Sequence, residues 1–110
     1  TTQYTLLVDF DVNTSGYTQW FYFAVRGGTK GFKVNFRLVN MSKSSSLFGD
    51  KGMKPCVWSE LSERGWERNG SDIEYVSNQS DSRASSGEKQ YFTLSFDYTF
   101  EYDDDTVFFA

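Results

Sequence analysis

An antiparallel two-sheet β-sandwich is the fold this 110-residue sequence predicts, and three observations predict it. Aromatic residues make up 19% of the chain, with eleven Phe, seven Tyr and three Trp, and such side chains favour the pleated, half-buried surface of a strand. Several segments alternate apolar and polar residues with the period of two that a strand imposes. No stretch of a dozen residues carries a helical period, and short strand-like runs separated by turn residues are what a sandwich requires.

The first run, Tyr4 to Val12, places Tyr4, Leu6, Val8, Phe10 and Val12 on one face. Asn13-Thr14-Ser15-Gly16 supplies turn chemistry, and Gln19 to Val25 is apolar on both faces, which predicts a central strand. After the break at Gly27-Gly28, Phe32, Val34, Phe36 and Leu38 face a core while Lys33, Asn35 and Arg37 face away from it. Asn40 to Lys54 has no period and reads as a long connection.

Short strands are expected over Cys56–Ser59, Trp66–Arg68 and Ile73–Val76. They are divided by Gly65 and by Asn69-Gly70, at a spacing that suits hairpins. Ser77 to Lys89 is polar and reads as a solvated hairpin loop. Tyr91 to Tyr102 then aligns Phe92, Leu94, Phe96, Tyr98, Phe100 and Tyr102, predicting the longest strand. Asp103-Asp104-Asp105 turns the chain into a final strand, Thr106 to Phe109.

Composition excludes several function classes. The chain lacks histidine, the commonest general base and zinc ligand, and a single cysteine, Cys56, builds neither a zinc site nor a disulfide. No Ser-x-x-Lys, Gly-x-Ser-x-Gly or phosphate-loop pattern stands in it, so no catalytic and no metal residue is assigned. No apolar run nears the roughly 20 residues that cross a bilayer, which predicts no membrane partner. Residues 1–55 hold seven Lys/Arg against three Asp/Glu, and residues 56–110 hold four against twelve. Neither half has the clustered basic stripe of a nucleic-acid binder.

Three weaker signals each have a plainer reading. Asp103 to Asp105 offers hard oxygen ligands for calcium but also suits a solvated acidic turn. Trp20, Trp58 and Trp66 offer stacking surfaces for a sugar, whereas core packing explains Trp20 and Trp58 as well. Asn13, Asn40, Asn69 and Asn78 all stand in Asn-x-Ser/Thr, the acceptor pattern of a secreted glycoprotein, yet these are also turn-forming residues that crowd between strands.

A chain of motifs carries a resemblance. It runs from Asp11-Val12-Asn13-Thr14 through Gln19-Trp20-Phe21-Tyr22-Phe23, Val34-Asn35-Phe36, Leu38-Val39-Asn40, Lys43 and Gly52-Met53-Lys54-Pro55. It continues through Gly65-Trp66-Glu67-Arg68-Asn69-Gly70, Ile73, Tyr75, Tyr91 to Phe96, Phe100, Tyr102, Asp105 and Val107-Phe108-Phe109-Ala110. In order and spacing these resemble the N-terminal domain of the cytosolic carboxypeptidases, zinc peptidases that remove glutamates from tubulin and other proteins.

The resemblance implies one β-sandwich domain over residues 1–110, cut from a longer chain whose catalytic domain follows Ala110. It implies a cytoplasmic setting, no cofactor in this domain, and zinc in the catalytic domain. The expected partners are that carboxypeptidase domain and acidic protein tails such as those of tubulin. Trp66, Arg68, Phe108 and Phe109 are the candidate interdomain contacts, with Arg68 alternatively a buried ion-pair member holding the long connection. Lys33 and Arg37 are the candidate contacts to an acidic partner. The competing class is a stand-alone lectin-like or calcium-dependent binding module.

Overall fold

A computed structural model describes residues 2–7, 21–42, 48, 52–77 and 91–110. Within them lie eight strands: β1 (Thr2–Leu6), β2 (Phe23–Arg26), β3 (Lys33–Met41), β4 (Cys56–Ser59), β5 (Glu67–Arg68), β6 (Ser71–Ser77), β7 (Phe92–Thr99) and β8 (Thr106–Phe109). They form two four-stranded sheets, ordered β1-β3-β7-β6 and β2-β8-β4-β5, as the two-sheet sandwich requires. All but one of the pairings are antiparallel, the exception being β1 with β3 at a sheet edge.

The alternation in β3 and β7 builds one wall of the core. Val34, Phe36 and Leu38 on β3 and Leu94, Phe96 and Tyr98 on β7 are buried, and Phe36 pairs with Phe96 across the ladder. The second sheet answers with Val57, Val107 and Phe109. Phe109 has no exposed surface, and its ring centroid lies 5.0 Å from those of Phe23 and Phe36, 5.2 Å from Tyr98 and 5.9 Å from Phe96. Offset and edge-on ring contacts at such distances add to the stabilisation from burial alone.

Several expectations are corrected. The run ending at Val25 predicts a central strand, but β2 is an edge strand, and β8 takes the centre of its sheet. Phe32 is 57% exposed because β3 starts after it, and Tyr4, on the predicted core face, is 47% exposed on edge strand β1, where it stacks on Phe36 at 5.8 Å. The strand expected to run to Tyr102 ends at Thr99, making β3 the longest of the described strands. Beyond it, Phe100 still exchanges backbone hydrogen bonds with Gly31 and Phe32 before Asp104, at φ +56°, reverses the chain.

Asn69-Gly70 does not close a hairpin: β5 belongs to one sheet and β6 to the other, so this dipeptide carries the chain across the sandwich. Gly70 there has φ +116°, a conformation that glycine alone takes at no steric cost. Val8 to Trp20, the middle of the 40–54 connection and the expected loop over 78–89 lie outside the described residues.

Candidate docking surface

In β4, Val57 and Ser59 are buried, so period-two geometry turns Trp58 outward. Ala24 on β2 and Trp58 on β4 both stand opposite Phe108 on β8, which puts the three in one row across the outer face of the sheet. Trp66, just before β5, meets the Trp58 ring edge-on at 5.6 Å and 80°. Tyr22, just before β2, lies 6.1 Å from Phe108 and 6.3 Å from Trp66. The result is a continuous aromatic surface in which Tyr22 is 66% exposed, Trp66 44% and Trp58 39%. Isolated exposed apolar residues are ordinary, but a contiguous aromatic group on one face marks a contact surface.

Of the residues singled out from the sequence, Trp66 and Phe108 meet here. Arg68 is exposed on the adjoining strand and donates from Nη1 to the Lys54 carbonyl at 2.8 Å, so it holds the end of the long connection without being a buried ion-pair member. Phe109 points the other way, into the core, because adjacent strand residues face opposite sides. Trp58 and Tyr22 were not predicted for this surface. Strict alternation around buried Val57 was the signal for Trp58, overridden by reading an apolar run as core.

Lys33 and Arg37 are not brought to this surface. They project from the outer face of the other sheet. The Lys33 ammonium lies 3.6 Å from Asp72 and 3.5 Å from Asp97, so its charge is already opposed. Burial pushes the Asp97 carboxyl up, but the Asn35 amide, Asp72 and Lys33 outweigh it and hold the group below the ordinary carboxylate range. Asn35 Nδ2 donates to Asp97 Oδ1 at 2.8 Å and to Ser95 Oγ at 3.0 Å. Arg37 is exposed and has no ion pair among the described residues.

The aspartate run is divided rather than convergent. Asp103 accepts from the Lys30 N–H at 2.8 Å, whereas Asp105 is buried and accepts from the Ser59 hydroxyl and, at 3.1 Å, from the Leu61 N–H. A uniformly solvated acidic turn is therefore corrected for Asp105. Among the described residues no three His, Cys, Asp or Glu side chains stand together in a way that holds a metal ion. None of the helical residues described is part of a helix long and apolar enough to cross a membrane.

Residues 1–110 match the family described as "Cytosolic carboxypeptidase N-terminal domain". The chain belongs to this family. It is similar over its whole length to cytosolic carboxypeptidase 2 of Homo sapiens, at 38% identity, and covers 12% of that protein. Cytosolic carboxypeptidase 1 of Gallus gallus is 39% identical over 98% of the chain, which spans 9% of it, and cytosolic carboxypeptidase 4 of Mus musculus is 37% identical over 98%, with 10% spanned. The cytosolic carboxypeptidase N-terminal domain thus occupies a small part of the relatives' length.

Proposed function

We propose that this domain is the non-catalytic accessory domain of a cytosolic zinc carboxypeptidase, docked through Tyr22, Trp58, Trp66 and Phe108 onto the carboxypeptidase domain of the same protein. The observation that carries this is the contiguous exposed aromatic face on the outside of the β2-β8-β4-β5 sheet. Partly apolar interfaces of this kind join domains within a chain. On this reading the zinc ligands and catalytic groups belong to the carboxypeptidase domain, since this chain has no histidine to offer. The enzyme works in the cytosol and removes glutamates from tubulin-like tails, and the accessory domain supports folding of the catalytic domain and access to it. Arg37 is the better candidate for meeting an acidic tail, because Lys33 already faces two carboxylates.

The test is Trp58→Ser with Trp66→Ser in the full-length protein, read as soluble yield, thermal midpoint and release of glutamate from a polyglutamate-tailed peptide. Loss of yield or a midpoint lowered far more in the full-length protein than in this domain is expected. Unchanged behaviour of the full-length double variant would sink the docking proposal. Saturable glycan binding by this domain, abolished by the same substitutions, would replace it with a lectin-like module.

A further inference from the structure

The connection that crosses from β5 to β6 brings an asparagine side chain onto the backbone nitrogen that follows it. Gly70 N donates to Asn69 Oδ1 at 2.6 Å, so the carboxamide is folded back toward the next peptide nitrogen. The Asn69 backbone is held here, because its N–H donates to the Pro55 carbonyl at 3.0 Å and Pro55 is fully buried. The residue that follows is glycine, which is buried in the turn but adds no Cβ beside that nitrogen. Asn69 and Gly70 also line an open groove of about 280 Å³ with Ser71, Asp97 and Glu101, wide enough to admit water.

We infer that Asn69-Gly70 is a self-modifying site, at which the fold presents the asparagine for intramolecular deamidation. Hydroxide takes the Gly70 amide proton, and the nitrogen attacks Asn69 Cγ. The new C–N bond closes a five-membered succinimide as the old carboxamide C–N bond breaks. The departing nitrogen takes a proton from water and leaves as ammonia. Water in the groove then adds to either ring carbonyl, giving aspartate when the new bond reopens or isoaspartate when the original peptide bond does. No oxidant or cofactor enters. Holding the reacting atoms together is what makes such a step fast, since a fixed intramolecular geometry replaces a search by the side chain.

The remaining four asparagines serve as controls within the same molecule: Asn13, Asn35, Asn40 and Asn78 are followed by Thr, Phe, Met and Gln. The folded protein is incubated at mildly alkaline pH, with and without urea, digested, and each asparagine peptide is followed by mass and by isoaspartate content. Modification at Asn69 is expected to exceed each of the other four by about tenfold or more, and to be at least as fast folded as in urea. Asn69→Gln, which would have to close a larger ring, is expected to abolish it while the circular dichroism spectrum is retained. If the peptide spanning Asn69 stays unmodified, or changes only once urea has unfolded the chain, the fold protects the site and the inference is overturned.

Discussion

Gly28 lies against the face of Phe100, and a Cβ placed on it would come within 2.6 Å of three ring atoms. Phe100 is 3% exposed and meets Tyr98 edge-on at 5.4 Å, so the ring has little room to swing away. Gly28→Ala is therefore expected to cost about 1–3 kcal/mol through overpacking, seen as a lowered midpoint in urea with an unchanged slope. Asp105 is the opposite case, a polar group whose removal empties a site. Asp105→Ala strands the buried Ser59 hydroxyl and frees the more exposed Leu61 N–H, and since a buried donor left unsatisfied costs about 1–3 kcal/mol, a loss of that size is expected in the same measurement. Tyr98 provides a pH test. Burial, and then the Glu101 and Asp105 carboxylates, push its phenol from 10.0 to about 12. The unfolded chain thus releases that proton first, and stability falls as pH rises from about 10 toward 12. Tyr98→Phe is expected to flatten that alkaline slope in a pH series of urea melts.

At the scale of elements, β8 decides most. It runs between β2 and β4, sends Val107 and Phe109 inward and turns Phe108 outward. Phe109→Ala is expected to cost about 3–5 kcal/mol, a large fraction of the whole stability of a small domain. Phe108→Ala should cost this domain much less than that, and should show its main effect in the full-length protein. Equal losses for the two in the isolated domain would place Phe108 in the core as well. The two strands also show what could be read in advance. Alternation of Val34, Phe36 and Leu38 against Lys33, Asn35 and Arg37 marked β3 and its faces. Periodicity says which side chains share a face, but not which strand lies alongside, so the parallel seat of β1 and the edge position of β2 were hidden. Phe108-Phe109 read as a surface pair because two adjacent phenylalanines look alike in sequence; the pleat divides them. Trp58 read as core inside an apolar run, and Asp105 as solvent-facing inside an acidic one. In each, composition of the neighbourhood outweighed the position of the single residue.

For the molecule as a whole, folding brings the basic first half of the chain against the acidic second half. Lys33 on β3 meets Asp97 on β7, and the Lys30 N–H meets Asp103. The second half also settles charge internally: Arg64 reaches Glu67 at 2.9 Å and Glu101 at 2.7 Å, a pairing the sequence spacing alone did not suggest. The Arg64, Glu67 and Glu101 groups stay partly exposed, so this cluster contributes little to stability and its effect is screened by salt. The family was legible from motifs spread over the chain, whereas the aromatic face was legible only in part, through Trp66 and Phe108. Tyr22 joins it through a fold that sets residues far apart in sequence side by side.

The central place of β8 bears on how the domain comes into being. Phe109 is the ring about which Phe23, Phe36, Phe96 and Tyr98 gather, and it is among the last of these 110 residues to be synthesised. Until it emerges, the β2 and β4 strands have no neighbour between them and the wall built by β3 and β7 has nothing to close against. In the nascent chain these rings are therefore expected to stay uncovered until β8 emerges, with closure coming late and joining distant segments. Slow folding by non-local pairing follows, together with a period in which chaperones have the most to hold.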